Sequence, residues 1–225
     1  MHMQKIRSVS FDLDGTLLDT VPDLGLACNQ MLADLDEEPY DMPSISTFVG
    51  QGVGHLVERC LSRNGPPSPE RLADGLDRFR TYYAEVNGKG SVFYPGVQEG
   101  LVEWQALNLP MAVVTNKPGT FTLPLLERMG LHDIFSVVVS GDTVINKKPH
   151  PEPILHACCE LGNEAAEYHL HIGDSQHDIA AAHAAGCSVW CVPYGYHGGK
   201  VPCADDCDEL VPDLLSAARL AASSR

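Results

Sequence analysis

Residues 6–17 read Ile-Arg-Ser-Val-Ser-Phe-Asp-Leu-Asp-Gly-Thr-Leu, a short and mostly apolar run that ends in two acids and a glycine. The run at residues 6–11 is typical of a strand, and Gly15 allows the chain to turn sharply after it. A regular strand would place Asp12 and Asp14 on one face and Leu13 on the other, towards the core. The stretch therefore predicts a strand that carries paired carboxylates at its end.

Farther along the chain, apolar strands alternate with amphipathic helices. Strands are predicted at residues 111–114, 135–139, 168–172 and 188–192, and helices at 97–107, 120–129, 152–161, 178–185 and 211–222. This alternation predicts an α/β fold, a Rossmann-like, doubly wound parallel sheet with helices on both faces.

Residues 20–88 interrupt this pattern, because they contain helical spacing at 22–35, 52–63 and 69–85 and no convincing strand. Asp19 or Thr20 could cap the first of these helices. We therefore predict two domains. Residues 1–19 and 89–225 form the α/β core, and residues 20–88 form a small α-helical domain inserted after the first strand.

The composition limits the possible partners. The 225 residues include 15 Lys and Arg against 30 Asp and Glu, a net charge of −15. So acidic a surface repels nucleic acids and anionic membranes, and neither is expected as a partner. No apolar run approaches the ~20 residues that span a bilayer, and residues 1–5 do not open a signal peptide. We expect a cytoplasmic protein with reduced cysteines, and the sequence leaves a monomer and a homodimer both open.

Polar side chains gather where predicted strands end or in the loops beside them. The residues concerned are Asp12, Asp14 and Thr16; Thr115 and Asn116; Lys148; and Asp174 and Asp178. Each cluster alone has an ordinary explanation as a turn, a cap or a surface loop. Ligands of open parallel sheets bind at the carboxyl ends of the strands, so their joint placement predicts one site.

The chemistry of this predicted site follows from its acids. Two unit charges ~4 Å apart repel by about 4 kcal/mol at an effective dielectric of ~20. A divalent cation removes that cost, and oxygen-only ligands suit Mg²⁺, so we expect the four acids to converge on Mg²⁺ as cofactor. One carboxylate could attack phosphorus and form an aspartyl phosphate, while a second donates a proton to the leaving alcohol and then activates water. Lys148 would neutralise the phosphoryl group, and Thr115 and Asn116 would hold its oxygens.

Four stretches resemble, in order, the signature motifs of the haloacid dehalogenase superfamily: Phe11-Asp12-Leu13-Asp14-Gly15-Thr16-Leu17, then residues 113–117, 148–151 and 172–178. The resemblance implies Asp12 as nucleophile and Asp14 as acid and base. It implies Mg²⁺ held by Asp12, the backbone carbonyl of Asp14, and Asp174, with Asp178 acting indirectly or through water. Thr115, Asn116 and Lys148 carry over as phosphate-binding residues, and Gly15, Thr16 and Ser175 as supporting residues.

The helical insert resembles the small cap domain of that superfamily, which closes over the site and selects the leaving group. Residues 47–52 resemble a cap loop that faces the site. Within the superfamily, residues 146–151, 178–187 and 194–196 resemble the phosphoglycolate phosphatases, although His177 stands where Asn is common. The resemblance implies a phosphatase for a small phosphomonoester, with 2-phosphoglycolate as the leading substrate.

Other functions remain open at this point. A phosphatase for another sugar or metabolite phosphate, or a β-phosphoglucomutase-like phosphomutase, would share every core residue and differ in the cap. A receiver-type signalling module also accepts phosphate on Asp, but it is about half as long and lacks the Asp12 and Asp14 pair. A dehalogenase is disfavoured, because it has no use for Asp14 as proton donor to an alcohol.

Some residues outside the motifs also carry expectations. His169 and His171 alternate along a predicted strand and are expected to face solvent or to pack at its edge. Tyr194, Tyr196 and His197 follow a strand end and could line the mouth of a pocket. The eight cysteines lack the two-residue spacing of a zinc knuckle, so zinc is disfavoured.

Overall fold

The computed structural model describes residues 6–162, 165–198 and 200–223. Residues 1–5, on which the interpretation of the N-terminus depends, lie outside this part of the chain. Within it, no helix combines the length and the apolar character needed to cross a membrane.

A six-stranded sheet forms the centre of the fold, and all of its strand pairs are parallel. In chain order its strands are β1 (Ser8–Phe11), β4 (Met111–Val114), β5 (Val137–Val139), β6 (His169–Gly173), β7 (Ser188–Cys191) and β8 (Glu209–Leu210). Their order across the sheet is β5-β4-β1-β6-β7-β8, so β1 is central. The predicted parallel sheet is confirmed. The sequence gives no signal for β8, because its two residues are exposed and form no apolar run.

Helices cover both faces of the sheet, as the alternating pattern predicts. They are α5 (Val97–Ala106), α6 (Gly119–Arg128), α7 (Glu152–Glu160), α8 (Gln176–Ala185) and α9 (Leu214–Ser223). One face packs Phe11 against Trp104 and Leu214, and the other packs Val114 against Ile154 and Ile179. Because both faces are covered, small ligands are expected at the ends of the strands.

The helical insert consists of α1 (Val21–Asp34), α2 (Met42–Ser46), α3 (Val53–Leu61) and α4 (Pro69–Val86). Met31, Val57, Phe79 and Tyr83 are fully buried in a hydrophobic cluster of their own. The α-helical cap after the first strand is therefore present, while the exact boundaries at residues 19 and 88 stay a prediction. Helix α2 has only five residues, too few for a helical period to show in the sequence.

The two connections between insert and core are tied together. Strand β2 (Leu18–Asp19) pairs antiparallel with β3 (Val92–Phe93). The buried carboxylate of Asp23 accepts hydrogen bonds from the backbone N–H groups of Gly88, Gly90 and Ser91, at 2.7–2.9 Å, and from the Ser91 hydroxyl at 2.6 Å. A carboxylate with four donors fixes the second connection against the start of α1.

The start of α1 agrees only in part with the sequence-based expectation. The Thr20 hydroxyl donates to Asp14 at 2.7 Å and does not cap the helix, whereas the Asp19 carboxylate accepts from the backbone N–H of Val21 at 3.2 Å. The Tyr196 hydroxyl also accepts from the backbone N–H groups of Thr20 and Val21 and donates to Asp19. The first connection is therefore held by Tyr196, which lies 176 residues after Thr20 in the sequence. A local capping pattern cannot reveal such a contact.

Candidate active site

Asp12 directly follows β1 and lies at the floor of a cleft between core and insert. It is 8% exposed, and its carboxylate lies 2.9 Å from the Lys148 ammonium. That ammonium also donates to Asp178 at 2.7 Å and to the backbone oxygen of Val114 at 2.6 Å. Its three hydrogens therefore all have partners, and Lys148 is fixed as a buried cation between two acids.

Asp174 directly follows β6, the strand next to β1, and Asp178 lies in the first turn of α8, the helix that comes after it. Asp178 accepts from the Ser175 hydroxyl at 2.6 Å and from its backbone N–H at 3.1 Å. Asp174 accepts from the Thr16 hydroxyl at 2.8 Å and from the backbone N–H of Tyr196 at 2.6 Å. Both carboxylates are buried, and each is held in place by donors on both of its oxygens.

Within the described ranges, one group of side chains could hold a metal ion: Asp12, Asp174 and Asp178, with one oxygen of each within 4.8 Å of the others. Burial raises the pKa of Asp12 to about 7, and it raises the pKa of Asp174 well above the usual range. Burial would raise the pKa of Asp178 as well, but Lys148 and His171 lower it overall. The ionised cluster is costly without a cation, and its oxygen-only donors suit Mg²⁺.

The fourth acid does not join this group, contrary to the expected convergence of four carboxylates. The carboxylate of Asp14 accepts from the Lys117 ammonium at 3.0 Å and from the Thr20 hydroxyl. The strand ends at Phe11, so the alternation that would place Asp12 and Asp14 on one face does not continue through the turn. Leu13 is fully buried, as predicted.

Two glycines permit the close packing around Asp174. Gly15 has a φ of +93°, and a Cβ there would lie 2.4 Å from an Asp174 carboxylate oxygen. Gly195 has a φ of +100°, and a Cβ there would lie 2.3 Å from the backbone oxygen of Gly15. A side chain at either position would displace the acid, so the predicted supporting role of Gly15 has a steric basis.

Thr115 and Asn116 lie at the end of β4 and line the same cleft. The Asn116 amide donates to the backbone oxygens of Lys148 and Gly50 and accepts from the backbone N–H of Lys148, each at 2.9 Å. It therefore joins the Lys148 loop to the insert, a connecting role that turn chemistry does not predict.

The expectation for His169 and His171 was wrong, because both side chains are buried in the sheet. His171 Nε2 lies 3.0 Å from Asp178, and its Nδ1 lies 2.8 Å from the Ser10 hydroxyl. His169 Nε2 lies 2.8 Å from the same hydroxyl, and its Nδ1 lies 2.7 Å from that of Ser8. The period of a strand shows which residues share a face, but not that serines of the neighbouring strand β1 would hydrogen-bond these rings inside the sheet.

The two histidines and the two serines form a row of hydrogen bonds that ends at the carboxylate of Asp178, and that carboxylate sets the direction of each bond. Burial lowers the pKa of His171 and lowers that of His169 to about 3, so both rings are neutral. A carboxylate only accepts, so His171 donates from Nε2 and its Nδ1 accepts from Ser10. Ser10 then accepts from His169 Nε2, and His169 Nδ1 accepts from Ser8. This row of hydrogen bonds thus holds the His171 ring so that its Nε2–H donates to Asp178 from beneath the site.

The cleft above Asp12 has a cavity volume of about 30 Å³. Core residues Asp12, Asp14, Thr115, Asn116 and Lys117 form its floor, and Leu24, Val49, Gly50, Gly52, Val53 and Leu56 form its insert side. The predicted loop at 47–52 therefore contributes to the site. The insert side is apolar or glycine throughout.

The residues predicted at a pocket mouth are divided between two places. Tyr196 and His197 line a second cleft of about 200 Å³ between insert and core. Tyr194 instead stacks on Tyr94 and donates to the backbone oxygen of Thr16 at 3.2 Å. Tyr196 thus holds the first connection through its hydroxyl and Asp174 through its backbone N–H.

Comparison with known proteins places this chain in a family. Residues 9–192 match the haloacid dehalogenase-like hydrolase family. The chain is 45% identical to phosphoglycolate phosphatase of Thiobacillus denitrificans over 215 residues, 95% of this chain and 94% of that one, and 42% identical to the enzyme of the same name from Nitrosospira multiformis over 96% and 95%. A crystal structure described as a predicted phosphoglycolate phosphatase from Haemophilus somnus superposes with a TM-score of 0.90 at 32% identity, covering 97% of this chain and 99% of that one. The chain belongs to the haloacid dehalogenase-like hydrolases.

Proposed function

We propose that this hydrolase is a Mg²⁺-dependent phosphatase that cleaves 2-phosphoglycolate to glycolate and phosphate through an aspartyl phosphate on Asp12. The observation that carries the proposal is the Asp12 carboxylate, which faces a cleft, lies 2.9 Å from the buried Lys148 and belongs to a group of three acids. The relatives named phosphoglycolate phosphatase, at 42–45% identity, support the choice of ester.

In the first half of the reaction, an Asp12 oxygen attacks phosphorus and the bond between phosphorus and the ester oxygen breaks. Asp14 gives its proton to the leaving oxygen, which departs as an alcohol. Lys148 favours the ionised form of Asp12, whose pKa burial raises to about 7. Thr115 and the backbone of Asn116 hold the phosphoryl oxygens from the end of the neighbouring strand, since Gly50 and Lys148 use both amide hydrogens of the Asn116 side chain.

In the second half, ionised Asp14 takes a proton from water, and the resulting hydroxide attacks phosphorus. The bond between Asp12 and phosphorus breaks, which releases phosphate and restores the carboxylate. Mg²⁺, when held by Asp12, the backbone carbonyl of Asp14, and Asp174, supplies positive charge for the phosphoryl oxygens. Asp178 keeps Lys148 in position and acts on the metal only indirectly.

An anionic substrate is compatible with the net charge of −15. The local field at the cleft is set by the buried cations Lys117 and Lys148 and by the metal, and not by the distant surface acids, which salt screens. Phosphate should therefore bind poorly when Mg²⁺ is removed, because three clustered carboxylates then face it.

The insert side of the cleft favours a small leaving group over a sugar. Leu24, Val49, Val53 and Leu56 offer no side-chain hydrogen bonds to sugar hydroxyls, which would lose their contacts with water on binding. We propose that residues 20–88 act as a cap that closes this apolar side over the ester. A phosphomutase would need polar groups there to hold its sugar.

A hydrolysis screen over small phosphate esters, with and without Mg²⁺, tests the proposal. We expect Mg²⁺-dependent phosphate release with 2-phosphoglycolate as the preferred ester. Comparable rates across the panel would remove the phosphoglycolate assignment but leave a phosphatase. Formation of an isomeric ester without free phosphate would show a phosphomutase, and no turnover of any ester would reject both.

A further inference from the structure

Lys117 is a buried cation on the side of the cleft where the leaving group must lie. It is 4% exposed, although it carries a full charge and lies just after the end of β4. Its ammonium donates to Asp14 at 3.0 Å and to the Tyr83 hydroxyl at 2.6 Å. Burial would lower the pKa of Lys117, but Asp14 and Tyr83 raise it overall, so the side chain stays protonated.

Of the described side chains that line the cleft above Asp12, Lys117 is the one that carries a positive charge. Lys148 lies beneath Asp12, and its hydrogens are all used by Asp12, Asp178 and Val114. The Lys117 ammonium has three hydrogens, and it contacts both carboxylate oxygens of Asp14, at 3.0 and 3.3 Å, and the Tyr83 hydroxyl. A ligand in the cleft would take the hydrogen of the longer Asp14 contact.

We propose that Lys117 binds the carboxylate of the leaving group and so selects phosphate esters of short hydroxy acids. The inference rests on the phosphatase function proposed above and names the residue that recognises its substrate. Asp14 must reach the ester oxygen to protonate it, and Lys117 lies 3.0 Å from Asp14. A carboxylate attached to the carbon that carries the ester oxygen lies within reach of this ammonium.

The other walls of the cleft strengthen this selection. The insert contributes Leu24, Val49, Val53 and Leu56, none of which can pair with a carboxylate or a hydroxyl. An ester with a neutral polar group in place of the carboxylate would give the Lys117 ammonium a weaker acceptor than a carboxylate and so bind less tightly. A longer sugar chain would press hydroxyls against apolar side chains.

Tyr83 belongs to the insert, so the position of the Lys117 ammonium depends on how the insert lies against the core. It lies on α4, is fully buried, and stacks on Phe79 and against Phe121. Its hydroxyl and ring both contact the Lys117 ammonium, the ring centroid at 4.8 Å. Tyr83 is thus a positioning residue, which holds Lys117 in place when the insert lies against the core.

The alternative role for Lys117 is purely electrostatic support of Asp14, and paired substrates separate the two roles. 2-Phosphoglycolate and 2-hydroxyethyl phosphate differ only in carboxylate against hydroxymethyl. We would measure kcat/KM for both esters, with Mg²⁺, in the wild type and in Lys117→Met, Lys117→Arg and Tyr83→Phe. Loss of support for Asp14 lowers kcat/KM for both esters by the same factor. Loss of carboxylate recognition lowers kcat/KM for 2-phosphoglycolate alone and so changes the ratio of the two values.

We expect the wild type to prefer 2-phosphoglycolate by about a hundredfold, as a charge-assisted hydrogen bond allows. Lys117→Met should reduce that preference to within about threefold of unity. Lys117→Arg should keep most of it, and Tyr83→Phe, which removes the hydroxyl that positions Lys117, should reduce the preference less than Lys117→Met does.

Equal losses on both esters in Lys117→Met, or a wild type without preference, would overturn the inference while leaving the phosphatase intact. If Lys117→Met does not fold, product inhibition of the wild type decides: glycolate should inhibit and ethylene glycol should not, and equal effects would overturn it. No phosphate release from either ester or from p-nitrophenyl phosphate would reject the proposed function itself.

Discussion

Replacing Asp12 by Asn should make the stability of the metal-free protein less dependent on pH. In the wild type, burial raises the pKa of Asp12 from 3.8 to about 7. The native state therefore holds a proton on Asp12 between about pH 4 and pH 7, where the unfolded state has lost it, so stability falls as the pH rises through this window. Asn does not titrate, and the variant lacks this loss.

The magnitude follows from the size of the shift. Each unit of pKa corresponds to 1.36 kcal/mol, so the difference between the native and unfolded pKa of Asp12 reduces the free energy of unfolding by about 4 kcal/mol at pH 8 but only about 2 kcal/mol at pH 5. Asp178, whose pKa is lowered, loses its contribution only at more acidic pH, below the unfolded value of 3.8. Asp174 is present in both proteins and largely cancels in the comparison.

Urea unfolding of the wild type and Asp12→Asn, in EDTA at about pH 5 and about pH 8, measures the effect. The free energy of unfolding of the variant relative to the wild type should rise by about 2 kcal/mol between the two pH values. The comparison across pH removes the constant cost of losing the Lys148 contact. Saturating Mg²⁺ should abolish the rise, because a bound cation favours ionised Asp12. The reasoning fails if the relative stability in EDTA is the same at both pH values.

Three further substitutions test other parts of the structure. Lys148→Met should lower kcat at least a hundredfold and destabilise the protein by about 3–5 kcal/mol, because it leaves two buried acids without their cation; the exposed neighbour Lys147→Met should change kcat less than threefold, and similar effects of the two would contradict the assigned geometry. His171→Leu should cost about 2 kcal/mol in urea unfolding, since it removes the donor to Asp178, and nitrogen NMR of the wild type should show a neutral His171 ring protonated at Nε2; an Nδ1-protonated ring would disprove the direction of the chain. Asp23→Ala should cost about 3 kcal/mol, because it orphans backbone N–H groups at the second connection, and a loss no larger than a few tenths would show that solvent satisfies them.

The sequence predicts the arrangement that depends on strand ends. Asp12 and Asp174 are brought together because β1 and β6 lie side by side and parallel, and the periodicity of the chain already implies such a sheet. Lys148 reaches Asp12 from the loop after β5. The order of the strands is not in any local pattern. The neighbours of β1 are β4 and β6, which are 100 and more residues away in the chain.

Contacts between insert and core could not be predicted, since they join residues far apart in the chain through side chains of ordinary appearance. Lys117 lies within a recognised motif, yet only the structure shows that it is buried against Asp14 and against Tyr83 of the insert. The prediction that His169 and His171 face solvent or the strand's edge was wrong for a related reason. Alternation in β6 does not reveal that the neighbouring strand β1 supplies serines as their partners.

Rapid quenching with 2-phosphoglycolate labelled in its phosphoryl group tests the assignment of Asp12 most directly. Acid-quenched enzyme in Mg²⁺ should carry the label on the peptide that contains Asp12, as a bond that hydroxylamine cleaves, and should form it no more slowly than phosphate is released. Asp12→Asn should carry no label and release no phosphate. Phosphate release at the wild-type rate by Asp12→Asn, or steady turnover in the wild type without label at residue 12, would contradict the proposed mechanism.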